Sequence, residues 1–491
     1  MKANLRKCGS FAAVGIILSV GTVIPQRVEA QQNTNTKPNI VFILMDNLGY
    51  GEVGCYGGGI TRGAPTPNID RLSRQGTMFT DYNVEAQCTP SRAAIMTGRY
   101  SIRSGTHTVP MGGLTDGLTQ WEITLAELLS DVGYATACFG KWHLGSENGR
   151  LPNDQGFDEW YGIPRTTDEA FWPSSPQARA ENILFTHIME GKKGEKSKEL
   201  ALYDLEQRRL IDEEITRRTI DFMQRSVQSG KPFYTYIPYT LVHFPTLPNP
   251  KFAGKTGFGD FPDVLAEMDG HVGELMDAID KMGITDHTIF IFTSDNGPEA
   301  TWPWQGSSGP WRGYYFTHME GSLRVPFIIR WPNRVPAGRV SNEMVHEVDT
   351  YTSLAKIAGA HVPLDRPIDG VDQTDFFLGK SEKSNREGFP VYVSDRLEAF
   401  KWKNWKLVFY EEQRDWWSPP VKLGTVKLFD LITDPKEEYP QISNQNTWAT
   451  IPIVKMLVAF EQSLKAYPPI APGTPDPYKP QVKTSTQKSV K

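Results

Sequence analysis

The sequence predicts an α/β fold in which a large, mixed but mostly parallel β-sheet carries helices on both faces. Residues 39–45 form a continuous apolar run rich in β-branched residues, as in strands that are buried on both sides. From there to residue 359, segments of helical periodicity alternate with short apolar segments, which is typical of parallel strands joined by crossover helices. After residue 387, short strand-like segments follow one another, which predicts a small antiparallel α+β subdomain at the C-terminal end.

The individual elements follow from the same patterns. One predicted helix of the large domain opens at Thr66, and the others span residues 124–132, 211–228, 264–282 and 351–359. After residues 39–45, the predicted strands are residues 134–139, 232–238, 288–293 and 325–331. In the C-terminal region we expect strands in residues 391–393, 399–410 and 427–431 and a helix over residues 453–467.

The first thirty residues have the pattern of a secretory signal peptide. Lys2, Arg6 and Lys7 precede an apolar run over residues 11–24, and residues 28–30 form a small-residue cleavage site. A membrane anchor is the competing interpretation, but two glycines and the following proline interrupt the run. We therefore predict an exported protein, periplasmic or secreted, with no membrane span in the mature chain. The predicted organisation is a signal peptide over residues 1–30, a large domain over 37–386, a C-terminal antiparallel subdomain over 387–467 and a disordered tail over 468–491.

Charge and cysteine content exclude two classes of protein. The formal net charge of −5 provides no basic surface, so we expect no nucleic-acid partner. Removal of the signal peptide leaves Cys55, Cys88 and Cys138, an odd number that excludes a disulfide scaffold. Pairing between Cys55 and Cys138 stays open, because it depends on the distance between their Cα atoms.

A cysteine at the predicted start of a helix is the first candidate functional residue. After Cys88, Thr89 is suited to the N-cap, Pro90 to the first helical position, and Gly98 to the stop. Arg92 lies one helical turn beyond Cys88, so its guanidinium would join the backbone N–H groups in attracting an anion such as a sulfate or phosphate ester. The alternative is an ordinary capped helix with a small buried cysteine, and the spacing alone leaves both interpretations open.

Two predicted strands end in the same dipeptide, Asp46-Asn47 and Asp295-Asn296. Because ligands in open α/β sheets lie at the carboxyl ends of the strands, these side chains are expected to converge there. Their hard oxygen atoms favour calcium or magnesium over zinc. The alternative is that each dipeptide only forms the turn at the end of its strand.

Three further polar residues follow predicted strands. Lys141 and His143 lie two residues apart at the end of one strand, and they point to the same face for as long as the strand continues. His243 follows another strand and precedes Phe244-Pro245, which keeps its imidazole on a loop. The alternative for a single loop histidine is an ordinary polar surface residue.

Residues 88–98, Cys-Thr-Pro-Ser-Arg-Ala-Ala-Ile-Met-Thr-Gly, resemble the signature of type I sulfatases, in which this cysteine is oxidised after translation to formylglycine. Other segments resemble family blocks in family order, namely residues 46–56, 66–70, 140–145, 294–297 and 320–326. The resemblance covers roughly residues 38 to 440 and is greatest to bacterial arylsulfatase-like enzymes. It implies the alkaline-phosphatase-like fold, with residues 37–386 as the catalytic domain.

The resemblance also implies roles for the candidate residues. A hydrated aldehyde made from Cys88 by a formylglycine-generating maturation enzyme would attack sulfur with one hydroxyl, and the other would remain to expel sulfate. Arg92 and Lys141 would hold the modified residue and the sulfate charge. His143 would support deprotonation of the nucleophile, and His243 would donate a proton or hydrogen bond to the departing oxygen. The implied metal is Ca²⁺, with Mg²⁺ as the alternative, on Asp46, Asn47, Asp295 and Asn296.

The sequence departs from the family pattern at two positions. Asn47 stands where most members have a second Asp, which removes one negative charge from the metal site. Tyr315 aligns with the usual sulfate-binding lysine, and a neutral phenol donates a hydrogen bond but carries no positive charge. This substitution leaves two alternatives open. Either His318 or another basic residue replaces the lysine, or the sulfate is held by one fewer cation.

The resemblance implies a sulfuric ester hydrolase that cleaves the S–O bond of an aryl or carbohydrate sulfate. Two alternatives stay open: a phosphodiester or phosphonate monoester hydrolase on the same fold, and a non-catalytic protein that binds sulfated glycans. The aromatic segments 165–173 and 302–311 are candidates for lining the substrate mouth, with ordinary loop packing as the alternative. The sequence does not distinguish the end of a polysaccharide from a small aryl sulfate.

Overall fold

A computed structural model describes residues 37–110, 116–411, 413, 417–441 and 445–480. The predicted signal peptide over residues 1–30 and the last part of the predicted tail, residues 481–491, lie outside the described residues.

The strands and helices have the following bounds. The strands are β1 Asn39–Met45, β2 Thr77–Phe79, β3 Tyr82–Asn83, β4 Ala135–Lys141, β5 Glu159–Ile163, β6 His187–Lys192, β7 Lys198–Leu202, β8 Phe233–Pro238, β9 Thr288–Ser294, β10 Phe327–Arg330, β11 Arg339–Ser341, β12 Val345–His346, β13 Gly388–Val393, β14 Arg396–Trp402, β15 Trp405–Tyr410 and β16 Lys422–Asp430. The helices are α1 Pro67–Gln75, α2 Cys88–Thr97, α3 Ser101–Ser104, α4 Leu125–Asp131, α5 Pro176–Ala180, α6 Leu205–Gln228, α7 Asp260–Lys281, α8 Glu320–Leu323, α9 Val348–Ala358, α10 Thr374–Phe377 and α11 Thr450–Ala466.

Within the described residues, the large sheet has ten strands in the order β11-β2-β10-β9-β1-β8-β4-β5-β6-β7. The central strands β9, β1, β8, β4 and β5 run parallel to one another. Antiparallel pairs extend the sheet on both sides, through β10 at one end and through β6 and β7 at the other. The prediction of a large, mixed and mostly parallel sheet is therefore confirmed.

The central strand β1 shows why helices cover both faces. Its odd-numbered residues from Val41 to Met45 pack in one core with α6 and α7. Its even-numbered residues from Ile40 to Leu44 pack in a second core with α2, α4 and α9. Because side chains alternate along a strand, a run that is apolar at every position fits only a strand with a core on each side.

The parallel strands open at one edge of the sheet. Met45, the last residue of β1, pairs with Ser294, the last residue of β9. The segments after both strands therefore begin side by side, and β4 and β8 run in the same direction next to them. This carboxyl edge is where an open α/β sheet holds its ligand.

Several predicted bounds differ from the structure. The predicted strand over residues 399–410 is wrong, because it is the hairpin β14–β15 with a turn at residues 403–404, where Lys403 has a φ of 51°. Helix α6 begins six residues before the predicted 211, because the Asp204 side chain accepts from the Glu206 and Gln207 N–H groups and caps it there. Strands β5 to β7 were not predicted; β7 is an edge strand whose first three residues, Lys198 to Leu200, are exposed.

The second sheet is small and antiparallel, as predicted, and consists of β13, β14, β15 and β16 in chain order. One apolar core of this sheet includes Ala399 and Val408 and reaches Leu323 and Val348 of the large domain. A second core, which includes Phe400 and Leu407, is covered by the start of α11. The sheet thus has cores on both faces although it contains few strands.

A buried charge cluster also connects the two sheets. The Glu320 carboxylate, at the start of α8, accepts from Lys401 Nζ at 2.7 Å and from Lys406 Nζ at 3.1 Å, and it pairs with Arg324. The side chains of Glu320 and both lysines are fully buried. Burial raises the pKa of Glu320, but the three cations outweigh that effect and hold its pKa well below its usual range.

Residues 468–480 belong to the predicted disordered tail over residues 468–491, but the structure shows that this part of the tail makes specific contacts. Ile470 is buried and its N–H donates to the Arg103 carbonyl at 2.9 Å. Asp476 accepts from the Gln120 N–H at 3.0 Å and pairs with Arg150 at 3.0 Å. These contacts give this proline-rich segment partners that its composition alone does not suggest.

Two other features of the described residues bear on the sequence analysis. Cys55, Cys88 and Cys138 are free cysteines, so Cys55 and Cys138 are not paired. In the part of the chain that the structure describes, no helix is long and apolar enough to cross a membrane.

We predict that Glu320→Gln destabilises the protein by about 3–5 kcal/mol at pH 7, because only Asp81 and Glu437 then remain to balance three buried cations and one positive charge is uncompensated. Urea denaturation measures the change. Since the pKa of Glu320 is lowered in the folded state, the advantage of the wild type should be complete above about pH 4.3, the pKa of an unfolded glutamate, and should shrink as the pH falls below it.

The matched control for this prediction is Glu214→Gln. Glu214 pairs with Arg217 and Arg218 on the surface of α6, where ion pairs contribute about 0–1 kcal/mol. If the two substitutions lowered the free energy of unfolding equally, the claim that the buried cluster stabilises the protein more than a surface ion pair would be contradicted.

Candidate active site

The predicted site residues lie around the carboxyl edge of the large sheet. They are Asp46 and Asn47 after β1, Lys141 at the end of β4 and His143 just beyond it, His243 in the loop after β8, Asp295 and Asn296 after β9, and Cys88 and Arg92 on α2. All of these residues are buried, with exposed fractions between 0% and 4%. The structure brings them into one cluster, whose contacts are described in turn below.

Cys88 is the first residue of α2 and is 2% exposed. The helix begins two residues earlier than the predicted capping pattern, since Gln87 occupies the N-cap in place of Thr89, and no side chain caps the helix. The prediction of Thr89 as the N-cap is therefore wrong, because the Thr89 hydroxyl instead donates to the His143 carbonyl at 3.2 Å. Gly98 ends the helix in the left-handed conformation, as predicted.

The Cys88 thiol is not poised to act as a thiolate. Burial raises its pKa to about 12, although the charge of Lys141 opposes this. A free cysteine nucleophile usually has a lowered pKa, so the environment of Cys88 does not favour chemistry by the unmodified thiol at neutral pH.

Arg92 is held by the acidic residues of two strand ends. Its Nε and Nη2 atoms donate to Asp295 Oδ2 at 3.0 and 2.8 Å, and Nη2 lies 3.3 Å from Asp46 Oδ1. Nη1 donates to the carbonyl of Lys141. The guanidinium is fully buried, so its position is fixed by these partners.

Lys141 forms the second ion pair of the cluster. Its Nζ donates to Asp46 Oδ2 at 2.8 Å, and the Thr167 hydroxyl donates to the same oxygen at 3.1 Å. Burial raises the pKa of Asp46, but Lys141, His243 and Arg92 hold the pKa of this carboxyl well below its usual range. The two carboxylates and two cations therefore form a buried, formally neutral group.

The Asn47 and Asn296 side chains complete the predicted metal site. Asn296 Nδ2 donates to Asn47 Oδ1 at 2.6 Å, and the Asn47 N–H donates to Asp295 Oδ1 at 3.0 Å. Asn47 Nδ2 donates to Glu299 Oε1 at 2.8 Å, which fixes the orientation of that amide. Glu299 is buried, and burial raises its pKa to about 8.

These residues fit a calcium or magnesium ion. Asn296 Oδ1 is a buried acceptor with no hydrogen-bond donor, and Asp46 Oδ1 accepts no hydrogen bond and faces the Arg92 guanidinium at 3.3 Å, so both oxygens could bind a cation. The described residues contain no cluster of three or more His, Cys, Asp or Glu side chains arranged to bind a metal, and the predicted site has two carboxylates and two amides instead. Such an all-oxygen set suits a hard dication.

The two histidines are buried and differ in their hydrogen bonds. His143 follows the end of β4 with a φ of 58°, and its Nδ1 is buried without a partner. Burial, together with Lys141 and Arg92, lowers the pKa of His143 well below its usual value, so its ring is neutral. His243 Nδ1 lies 2.6 Å from the Phe244 carbonyl, which makes Nδ1 the protonated atom and leaves Nε2 for a ligand.

Tyr315 lies beside the start of α2. Its phenolic oxygen accepts from Gln87 Nε2 at 2.8 Å, so its own proton remains available to an acceptor. Burial raises the pKa of Tyr315 well above its usual value, so the phenol stays neutral. The Nδ1 atom of His318, one of the alternatives to the missing lysine, lies 3.0 Å from Glu398 Oε2 of the small sheet.

Sequence reasoning missed three residues that contact this cluster, namely Thr167, Glu299 and Gln87. Gln87 adjoins Cys88, and Glu299 follows Asp295 by four residues in the same loop, so sequence proximity was the available signal. Thr167 lies within the segment 165–173 that was noted for its aromatic residues alone. Its contact with Asp46 joins positions that are 121 residues apart, which no local pattern reveals.

Comparison with known families and proteins gives a consistent result. The family model described as Sulfatase matches residues 38–360, and the model of the C-terminal region of N-sulphoglucosamine sulphohydrolase matches residues 312–459. The chain is 34% identical to human arylsulfatase A over 430 residues, which covers 82% of this chain and 83% of that protein. It is 31% identical to an N-acetylgalactosamine-6-O-sulfatase of Bacteroides thetaiotaomicron, with 86% of this chain and 93% of that protein covered.

A solved structure extends the likeness to three dimensions. The crystal structure of the PsFucS1 sulfatase from a Pseudoalteromonas species superimposes with a TM-score of 0.84 at 32% identity. The superposition covers 89% of this chain and 92% of that chain. The similarity therefore extends across both sheets.

Proposed function

The chain belongs to the sulfatase family, and from that premise we propose that it hydrolyses a sulfate ester of a carbohydrate, through a nucleophile made from Cys88. The single observation that carries the proposal is the position of Cys88 at the start of α2, beside two buried cations that acidic side chains hold in place. The carbohydrate class is supported by similarity to a bacterial N-acetylgalactosamine-6-O-sulfatase over most of both chains. An aryl sulfate is the alternative within the same chemistry, in line with the likeness to arylsulfatase A.

Phosphorus esters and simple glycan binding are less well supported. The relatives above are sulfatases, which favours sulfur as the atom attacked. Cys88, Arg92, Lys141, His143 and His243 are all present and lie together, whereas a site that only binds would not require a nucleophile.

The proposed chemistry depends on oxidation of Cys88 to formylglycine by a maturation enzyme. Once hydrated, that group supplies one hydroxyl as the nucleophile and a second that later expels sulfate. Because Cys88 is only 2% exposed in the folded chain, we propose that the oxidation precedes folding of the site. This order is compatible with export of an unfolded chain.

In this mechanism, the residues around position 88 bind the ester and move protons. Arg92 and Lys141 hold positive charge near position 88, but Asp295 and Asp46 balance it, so a net preference for sulfate would come from the proposed dication. His143 is neutral and has an unpartnered Nδ1, which suits it to take the proton of the attacking hydroxyl. His243 donates from Nδ1–H to a carbonyl, so it would present Nε2 to the departing alcohol oxygen and donate from that atom when the ring carries a second proton.

The proposed metal site consists of Asp46, Asn47, Asp295 and Asn296, with calcium as the ion and magnesium as the alternative. A bound dication would add positive charge opposite the sulfate oxygens and lower the pKa of the nucleophile. Glu299 holds the amide of Asn47, so the oxygen of Asn47 is presented in one orientation.

We predict that the peptide containing residue 88 carries formylglycine when the protein is made in a host with the maturation machinery. Mass spectrometry of that peptide and release of nitrophenol from 4-nitrophenyl sulfate are the measurements. Cys88→Ala should abolish turnover, because no hydroxyl remains to attack sulfur. Unmodified Cys88 with full activity, or activity of Cys88→Ala equal to that of the wild type, would contradict the proposal.

We predict that Tyr315→Phe lowers kcat/KM for 4-nitrophenyl sulfate by about tenfold to a hundredfold, because the substitution removes a neutral donor to a charged sulfate oxygen and keeps the ring. The matched control is Tyr314→Phe. The hydroxyl of Tyr314 accepts from Gln305 Nε2 at 2.9 Å instead of from Gln87, so its loss should leave this reaction unchanged. Equal effects of the two substitutions would show that Tyr315 does not bind the sulfate.

A further inference from the structure

A large cleft, with a volume of about 1140 Å³, is lined in part by the chain segment that follows Asp295 and Asn296. Its lining includes residues 60–63, 258–262 and 302–314, together with Lys436 and Glu438 of the C-terminal subdomain. Two aromatic rings of this lining are strongly exposed, Trp302 at 83% and Phe258 at 75%. Large exposed aromatic side chains in a cleft indicate a binding surface more often than a packing role.

An ion pair between half-buried Arg62 and buried Glu52 holds part of the cleft lining in place. Arg62 Nε donates to Glu52 Oε2 at 2.8 Å, and Arg62 Nη2 donates to the Gln305 carbonyl at 3.0 Å. The same guanidinium lies over the Phe261 ring at 5.6 Å from its centroid. Fully buried Glu52 also accepts from the Ser307 N–H. Arg62 therefore contacts both the 258–262 and the 302–314 parts of the lining.

The segment of residues 298–315 contributes both to the cleft and to the candidate active site. In the candidate active site, Glu299 accepts a hydrogen bond from the Asn47 amide, and the Tyr315 hydroxyl accepts one from Gln87, which precedes Cys88. The same segment lines the cleft with Trp302, Trp304 and Tyr314.

A second connection runs through the segment noted for its aromatic residues. Trp304 contacts Phe171, with 6.3 Å between ring centroids. Phe171 belongs to the same segment as Thr167, whose hydroxyl donates to Asp46. A ligand in the cleft would thus touch residues continuous with the proposed sulfate site.

The chemistry of the lining points to a sugar chain. Aromatic faces attract the polarised C–H groups on the faces of sugar rings, and the exposed Trp302 and Phe258 offer such faces. Lys436 and the amide of Gln305 are exposed parts of this lining and offer partners for hydroxyl and sulfate groups. A wholly apolar ligand would leave this polar lining unpaired. The volume exceeds that of usual small-molecule pockets, about 300–1,000 Å³, so it can accept several sugar units.

We infer that this cleft binds a stretch of the glycan that carries the sulfate, so that the enzyme acts on oligosaccharides or polysaccharides in preference to small esters. The inference rests on the proposed hydrolysis of a carbohydrate sulfate. Recognition is then divided between the sulfate group at the site around Cys88 and the sugar chain on Trp302 and Phe258.

Binding is tested first in a Cys88→Ala background, so that turnover does not interfere. The probes are carrageenan, chondroitin sulfate, heparan sulfate and fucoidan, and the method is isothermal titration calorimetry. For a polymer that the Cys88→Ala protein binds, adding Trp302→Ala or Phe258→Ala should weaken binding by about three- to tenfold, the value of one aromatic contact. Tyr467→Ala is the matched control, because Tyr467 is 47% exposed and is not part of the cleft lining.

Kinetics with Cys88 intact separate the two proposals. Trp302→Ala should raise KM for the same polymer by a similar factor and leave kcat/KM for 4-nitrophenyl sulfate unchanged. Unaltered polymer binding in both aromatic variants, an equal loss on 4-nitrophenyl sulfate, or no binding of any of the four polymers would overturn the glycan cleft. Absence of sulfate release from every ester, including 4-nitrophenyl sulfate, would instead overturn the proposed function.

Discussion

The buried group formed by Arg92, Lys141, Asp46 and Asp295 is the constraint on which the rest of the site depends. Removing so many charges from water costs a great deal of free energy unless each charge has a partner, and here each one does. The parallel order of β1, β4 and β9 brings their ends together, and α2 supplies the remaining cation. The order of the central strands therefore places these charged residues together at one edge of the sheet.

This charge balance also explains how the two departures from the family pattern are accommodated. Asn47 adds no charge, and its amide is held between Asn296 and the buried Glu299. Tyr315 likewise adds no charge, and Gln87 orients its hydroxyl. Both positions therefore keep a polar atom that a neighbouring side chain directs.

Much of this arrangement was predictable from sequence because it rests on local patterns. The run from Asn39 to Met45 followed by Asp46 reveals a buried strand and the polar residues at its end, and the same logic applies to Asp295. Features that depend on distant contacts could not be predicted. The Thr167–Asp46 bond, the connection of Glu320 to Lys401 and the aromatic cleft around Trp302 each join segments without any shared sequence pattern.

The most direct test of the central claim is to trap the bond between position 88 and sulfur. In the Cys88→Ser variant the side chain has one hydroxyl, which can attack the sulfate ester, but it lacks the second hydroxyl needed to expel sulfate. Peptide mass spectrometry after incubation with 4-nitrophenyl sulfate should therefore detect a stable sulfate group on residue 88. Continuous turnover by this variant, or sulfate release by the mature enzyme without any adduct at residue 88 in the variant, would contradict the account.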